Sequence, residues 1–334
     1  MIFEIVKQLI LLFFVILLAY NHLYSQFSPP AGQPGSDAIH KDSSIFVGWA
    51  IQCQVFRGYM DIQNPSLGYA SVGQETFALG IADNSVVSLG DSGYAILEFP
   101  YPITNGDGPD FAVFENSFNG TFLELAFVEV SSDGQHFVRF PAISLTDTTQ
   151  QVGSFGTLDA TKIHHLAGKY AVYWGTPFDL EVLKDSNYLD INHITHVKIL
   201  DVIGCITPGY RSYDSEGRPI NDPYPTPFAS SGFDLDAVGV IHWNTQVATT
   251  SPQTNQIKVF PTFFNSHEPQ KLYVLSDKVP ELICIYSMEG KLVHKFKPQN
   301  LLNTVSVEDL APGIYSVQVQ YLDKILVEKI LISE

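Results

Sequence analysis

The sequence predicts an all-β protein in two parts, a large β domain followed by a small β-sandwich. Three observations carry this. Apolar runs are short and bounded by Gly, Asp, Ser and Pro, the punctuation of strands and turns. No run keeps the 3.6-residue period of a long helix, and residues 159–166 have room for one or two turns. No repeat of fixed length occurs, which argues against a propeller or a solenoid.

Residues 9–19 form an unbroken apolar run with Lys7 before it and Asn21-His22 after it. A membrane span needs about 20 residues, so the run fits the core of a signal peptide, with the small residue Ser25 before the cleavage point. Glu4 is an unusual charge for such a segment, and an uncleaved anchor is the competing reading. No Cys follows the run, so a lipoprotein anchor is not expected. The expected division is a signal peptide at 1–25, a β-sandwich passenger at 26–244, a linker at 245–255 and a C-terminal domain at 256–334. The linker reading rests on its Thr, Gln, Ser and Asn content.

Within the passenger, residues 85–90 and 94–99 flank Asp91-Ser92-Gly93 and predict a hairpin. Phe111-Ala112-Val113-Phe114-Glu115 is nearly all apolar, as in a strand buried on both faces. Residues 122–130 and 136–140 are separated by Ser131-Ser132-Asp133-Gly134, and an Asp-Gly pair between strands marks a second hairpin. Residues 196–203 and 233–241 supply late strands. Between residues 257 and 332 lie about seven further short runs. Residues 315–321 alternate apolar and polar side chains, and the chain returns after Asp323-Lys324 through 325–327 and 330–332 as a closing hairpin.

The chain carries 18 Lys plus Arg against 35 Asp plus Glu, a net charge of −17. The passenger holds 18 Asp and 7 Glu against 9 bases, a charge of −16, whereas the C-terminal domain has 9 acids and 8 bases. An acidic passenger without a basic cluster argues against nucleic acid and anionic membranes as partners. Three cysteines, Cys53, Cys205 and Cys284, leave at least one thiol unpaired. Sequence leaves open whether Cys53 and Cys205 form a bridge.

Four C-terminal motifs resemble a known family. They are Val259-Phe260-Pro261, residues 285–293 (from Ile285-Tyr286-Ser287 to Lys291-Leu292-Val293), Leu310-Ala311-Pro312-Gly313-Ile314-Tyr315, and Glu328-Lys329-Ile330-Leu331. In this order they are similar to the C-terminal sorting domain (type A) of type IX secretion in Gram-negative bacteria. Thr262-Phe263 departs from the Asn-Pro usual in that family. The resemblance implies a small immunoglobulin-like sandwich, the type IX secretion machinery as partner, cleavage near residues 245–255 and attachment at the outer-membrane surface. A second resemblance covers residues 48–241. Residues 106–116, 125–134, 217–223 and 232–238, the last containing Asp234-Leu235-Asp236-Ala237-Val238, resemble a loosely defined family of exported bacterial cell surface proteins. It implies a jelly-roll-like, galactose-binding-like β-sandwich that binds sugars, surfaces or small molecules.

Two constellations carry chemistry. Asp234 and Asp236 stand two apart in a strand and project from one face, with Phe233, Leu235 and Ala237 on the other. Asp107 and Asp110 lie in a loop tightened by Gly106, Gly108 and Pro109. Together the four carboxylates are the expected ligands of a calcium ion, completed by backbone carbonyls toward its six to eight oxygens. Turn capping by the same acids is the competing reading. The loop 209–232 sets Tyr210, Tyr213, Tyr224 and Phe228 among stiffening prolines, a platform for an unknown glycan or small-molecule ligand. Its competitor is a loop that packs its own aromatics over one end of the sandwich.

No catalytic residue is assigned. Glu115, Glu124 and Glu129 have the chemistry for glycoside hydrolysis but no accompanying motif. No Gly-x-Ser-x-Gly, Cys-x-x-Cys or His-Glu-x-x-His occurs, and His164, His165, His193 and His196 read as surface histidines. The expected function is a secreted or cell-surface binding protein for a glycan or small nutrient, with calcium as a possible cofactor. A structural or adhesive surface protein and a polysaccharide hydrolase are the alternatives.

Overall fold

The computed structural model describes residues 27–244, 257–260, 263–264, 271–276, 279–299, 302–322 and 324–333. The expected signal peptide, 1–25, and linker, 245–255, lie outside them. In chain order the first strands are β1 (Ile39–His40), β2 (Gly48–Trp49), β3 (Gln52–Phe56), β4 (Val87–Ser88), β5 (Tyr94–Ile103), β6 (Phe111–Glu115) and β7 (Ala126–Ser131). They continue as β8 (Val138–Arg139), β9 (Ile143–Ser144), β10 (Ile163–His164), β11 (Leu166–Ala167), β12 (Trp174–Phe178), β13 (Ile194–Asp201) and β14 (Asp234–Val240).

Two large antiparallel sheets result, and β9 pairs with β10 as a small third one. One runs β1-β12-β6-β14-β2 with β4 also beside β14, and the other runs β11-β7-β13-β5-β3 with β8 beside β7. The main core lies between them, because alternate residues of each strand face inward. Phe111, Val113, Leu235, Val238 and Val240 from one sheet meet Leu97, Val128, Val130, Val197 and Ile199 from the other. At its centre Phe111 stacks on Phe178 at 5.4 Å, and Phe140 meets both rings edge-on at 6.0 and 5.0 Å. Each such buried side chain contributes about 1.5–3 kcal/mol.

The apolar run of β6 is buried on both faces as its sequence predicts. Phe111 and Val113 enter the main core, while Ala112 and Phe114 pack with Ala82 and Ala237 on the other side. Ala237 corrects the sequence reading, which placed it with Phe233 and Leu235. The β14–β6 register slips between Leu235 and Ala237, so one extra residue turns Ala237 to the opposite face. The β7–β8 hairpin forms as predicted, pairing Glu129 with Arg139 and Val130 with Val138. The hairpin expected from 85–99 does not form. β4 pairs with β14 and β5 with β3 and β13, so Asp91-Ser92-Gly93 turns a corner between sheets. That corner is fixed by long-range bonds that sequence cannot display: Gly58 N–H to the Leu89 carbonyl at 2.7 Å, and Ser92 N–H to Asp201 at 3.0 Å. The helical turns expected at 159–166 shrink to one 3₁₀ turn, Ala160–Lys162, capped by Asp159.

The C-terminal module is a separate pair of sheets. Its strands are β15 (Ile257–Phe260), β16 (Phe263–Phe264), β17 (Lys271–Ser276), β18 (Leu282–Ser287), β19 (Leu292–Phe296), β20 (Leu302–Ser306), β21 (Gly313–Gln320) and β22 (Ile325–Ile332). They form a three-stranded sheet, β15-β17-β20, and a five-stranded one, β16-β22-β21-β18-β19. Tyr315, Val317 and Val319 alternate inward along β21, and β21 closes onto β22 over eight residue pairs, as the period-2 pattern predicts. Cys53, Cys205 and Cys284 are free thiols.

Candidate functional site

The four acids expected to share calcium do not converge. Because β6 and β14 run antiparallel, Asp110 sits beside Ile241, whose N–H donates to the Asp110 carbonyl at 2.8 Å. Asp234 begins the same strand at its far end, about 20 Å away at the usual rise per residue. Asp110 is buried and accepts from Gly106 N–H at 2.8 Å, Leu180 N–H at 2.7 Å and His242 Nδ1 at 2.7 Å. Asp236 accepts from the N–H groups of Asp83 and Asn84, both at 3.0 Å. Asp107 is exposed. Asp110 and Asp236 serve as turn caps, Asp234 accepts from the Ser88 hydroxyl, and the shared site is not assembled. Among the described residues, no group of three or more His, Cys, Asp or Glu is arranged to hold a metal.

The aromatic loop also divides. Tyr224 is only 4 % exposed, and its hydroxyl donates to Asp61 and to Gln63, so it anchors the loop instead of offering a platform. Tyr210 and Tyr213 are exposed, with Arg211 over the Tyr213 ring at 5.6 Å. Phe228 borders a pocket. There it stacks on Phe155 at 5.7 Å, Phe155 stacks on Phe122 at 6.2 Å, and Phe122 on Phe118 at 5.3 Å. Phe118 and Phe155 are 77 % and 72 % exposed, an unusual investment of apolar surface in water.

These rings border a pocket of about 80 Å³ whose inner groups are Glu124 and Asp234, with Ser154, Thr226 and Ser230 supplying hydroxyls. Asp234, expected as a metal ligand, and Phe228, expected as a stacking platform, thus meet at one site. Glu124, weighed above for hydrolysis, joins them, whereas Glu129 faces elsewhere and pairs with Arg139 at 2.7 Å and Lys198 at 3.1 Å. Sequence reading missed Phe118, Phe122 and Phe155. The available signal was a bulky ring between small residues, as in Gly153-Ser154-Phe155-Gly156, where nothing local could bury it.

Three loops build the pocket. Asn119 Oδ1 accepts from Thr121 and Phe122 N–H at 2.9 Å each, closing the turn that carries Phe118 and Phe122. Ser154 Oγ donates to the Pro225 carbonyl at 2.6 Å, joining the Phe155 loop to the Phe228 loop. Glu124 is set by Gly168, which has φ +79° and whose added Cβ would fall 1.8 Å from the Glu124 carbonyl oxygen. The acids sit in an electrostatic cluster. Burial first, and then repulsion from Asp234, push the Glu124 carboxyl well above the ordinary glutamate range. Burial, Glu124 and Asp234 do the same to neighbouring Glu115, one of whose oxygens is buried without a hydrogen-bond partner. Asp234 rises to about 6 through burial, held down by the Ser88 hydroxyl and by the charge of Arg57. The pocket therefore sets Asp234 beside a Glu124 carboxyl whose burial favours its protonated form.

A larger cleft of about 450 Å³ is lined by Phe46, Trp49 and Ile81 of the first part and Phe296, Lys297 and Asn303 of the C-terminal module. Among the described residues, neither a carboxylate nor a histidine lines it.

The C-terminal module matches a family model over residues 267–333, described as a secretion system C-terminal sorting domain. These residues are a sorting domain of type IX secretion. The sorting domain makes the chain a secreted, cell-surface protein that engages the type IX machinery. No curated protein matches the chain. Among solved structures, PorZ of Porphyromonas gingivalis, described as an essential bacterial surface component of the type IX secretion system, is 9 % identical. That likeness covers 80 % of this chain and 43 % of PorZ at a TM-score of 0.24. A β-glucuronidase from Ruminococcus gnavus bound to uronic deoxynojirimycin is 12 % identical over 92 % of this chain and 47 % of its own, at a TM-score of 0.22. The chain spans less than half the length of either, and such scores bear on neither ligand nor activity.

Proposed function

We propose that the chain is a cell-surface binding protein that takes a neutral glycan at the pocket bordered by Phe155 and Phe228. On this reading residues 1–25 direct export and the sorting domain then delivers the passenger to the surface. The stack of exposed phenyl rings beside two carboxyl groups is the observation that supports it. Phenyl faces receive the C–H face of a sugar ring, and carboxyl and hydroxyl groups exchange hydrogen bonds with its hydroxyls. The ligand is neutral because a passenger of charge −16 and an ionised Asp234 disfavour an anion. A pocket of about 80 Å³ takes part of one monosaccharide, leaving the rest on the rings outside.

Titration calorimetry of the full chain against a panel of neutral oligosaccharides tests this. Phe155→Ala and Phe228→Ala are expected to weaken binding about tenfold each, near 1.4 kcal/mol, while the melting temperature stays within a degree or two because both rings are exposed. The proposal fails if no neutral glycan binds, or if Phe155→Ala binds as tightly as the parent. Adhesion to cells or matrix without any soluble ligand would then favour the structural alternative.

A further inference from the structure

Along β17, Leu272 and Val274 are fully buried in the sorting domain's own core, so Lys271 and Tyr273 point to the opposite face of the three-stranded sheet. On a free module that face meets water. Tyr273 is nonetheless only 5 % exposed, because it packs with the main core of the passenger and not with the core of its own module. Its hydroxyl donates to the Leu79 carbonyl at 2.8 Å. Burial, and then the charge of Asp236, push that phenol up to about 12, so it keeps its proton and stays a donor. Lys271, two residues earlier on the same face, pairs with Asp83 of the passenger.

The passenger is shaped for the ring. Leu79 and Gly80 follow the 3₁₀ turn Glu75–Ala78, and Gly80 N–H donates to the Ala50 carbonyl at 3.1 Å. Gly80 has φ +77°, and an added Cβ would fall 2.5 Å from Cε1 of Tyr273 and 2.9 Å from its hydroxyl oxygen. Asp83 is fixed by bonds within the passenger: its carboxylate accepts from Ser85 N–H at 2.9 Å, and its N–H donates to Asp236 at 3.0 Å. The contact is narrow. The cleft of about 450 Å³ opens beside it, with Gly80 on one wall and Thr304, the register partner of Tyr273, on the other. Two modules with separate cores and a narrow contact can part without either unfolding.

We propose that residues 79–83 of the passenger are a docking socket for the chain's own sorting domain, seated by Tyr273 and Lys271. The dock is a latch. β17 is the central strand of its sheet, so the seated passenger blocks face-on approach to that strand by any other partner. The socket belongs to the folded passenger, since Ala50, Leu79 and Asp236 are brought together only by tertiary structure. An unfolded passenger leaves the same face of β17 open.

The test is carbodiimide cross-linking of the full chain, read by mass spectrometry of its proteolytic fragments. The reagent joins a carboxylate and an amine in contact as an amide. A link between Asp83 and Lys271 is expected, and a link between Glu129 and Lys198, 3.1 Å apart within the passenger, controls for the reagent and for the passenger fold. Tyr273→Ala should lower the 83–271 yield by about fivefold or more, the loss expected on truncating a buried aromatic anchor, and leave the 129–198 yield unchanged. Gly80→Ala fills the socket from the passenger side and should do the same; each variant decides the matter if the other does not fold. Tetranitromethane, which nitrates accessible tyrosine rings, should spare Tyr273 in the parent and modify it in Gly80→Ala. The proposal is overturned if the 83–271 link is absent where the 129–198 link forms, if a folded variant keeps the parent yield, or if Tyr273 of the parent is nitrated as fast as Tyr188, which is 77 % exposed.

Discussion

Asp110 shows what a single acid does in this chain. Its carboxylate takes three donors from three places, Gly106 in its own loop, Leu180 at the start of a 3₁₀ turn and His242 after β14. Burial raises its carboxyl above the usual aspartate range even though all three donors favour the charged form. Asp110→Ala strands those donors and is expected to cost about 3 kcal/mol, read from urea denaturation of the full chain. A chelator should leave the melting curve of the parent unchanged, since Asp110, Asp234 and Asp236 already have protein partners. A drop on chelation that calcium reverses would overturn the turn-cap assignment. The acids themselves were visible in the sequence, and so were the glycines that tighten their loop. Their partners were not, because Leu180 and His242 lie 70 and 132 positions away.

At the scale of elements, the pocket depends on loops that are pinned by one amide. Asn221 is fully buried and donates to the carbonyls of Asp147 at 2.6 Å and Gln150 at 2.8 Å. Its oxygen accepts from Val152 N–H and Gln151 Nε2, both at 3.0 Å. The loop carrying Phe155 is thereby tied to the proline-rich loop carrying Phe228. Asn221→Ala is expected to destabilise the protein by about 2–4 kcal/mol and to make the peptide bonds near Phe155 more susceptible to limited proteolysis. Unchanged cleavage kinetics there would show that Asn221 does not hold this loop. The sequence marked residues 209–232 as an aromatic loop that either binds or packs. The structure does both, packing Tyr224 inward and leaving Phe228 outside. Which ring does which depends on how the loop crosses residues 61–63, a contact set by tertiary packing.

For the whole molecule, the buried acids predict the response to pH. Burial raises Asp91 to about 7, Asp234 to about 6 and Asp236 to about 7, from an ordinary value of 3.8. A raised folded-state value means that the native protein holds these protons more tightly than the unfolded chain. Their contribution is fully present below about pH 4 and is lost as pH rises through 6 to 7. Each tenfold gain in proton affinity on folding corresponds to about 1.4 kcal/mol, so the loss is of the order of a few kcal/mol. Asp133 and Asp147 act in the opposite sense. Hydrogen bonds from His136 and from Thr149 hold them below the usual range, so their contribution disappears only under strongly acidic conditions. Scanning calorimetry should find a higher melting temperature at pH 5 than at pH 8, and Asp91→Asn should flatten that slope. A melting temperature at pH 8 equal to or above that at pH 5 would contradict the prediction.

By itself the sequence determined the all-β class, the doubly buried β6, the β7–β8 and β21–β22 hairpins, and the sorting domain. Each is written in contiguous residues, as a period of two, an Asp-Gly turn or an ordered set of motifs, and local sterics and burial then leave few alternatives. Tertiary structure alone decided that Asp110 and Asp234 lie at opposite ends of a sheet, that β4 and β5 part company, and that Glu124, Asp234, Phe155 and Phe228 meet. Those outcomes depend on which strands become neighbours and on where a bulge falls. Strand neighbours are chosen by the summed burial of residues far apart in the chain, a quantity that no single segment carries.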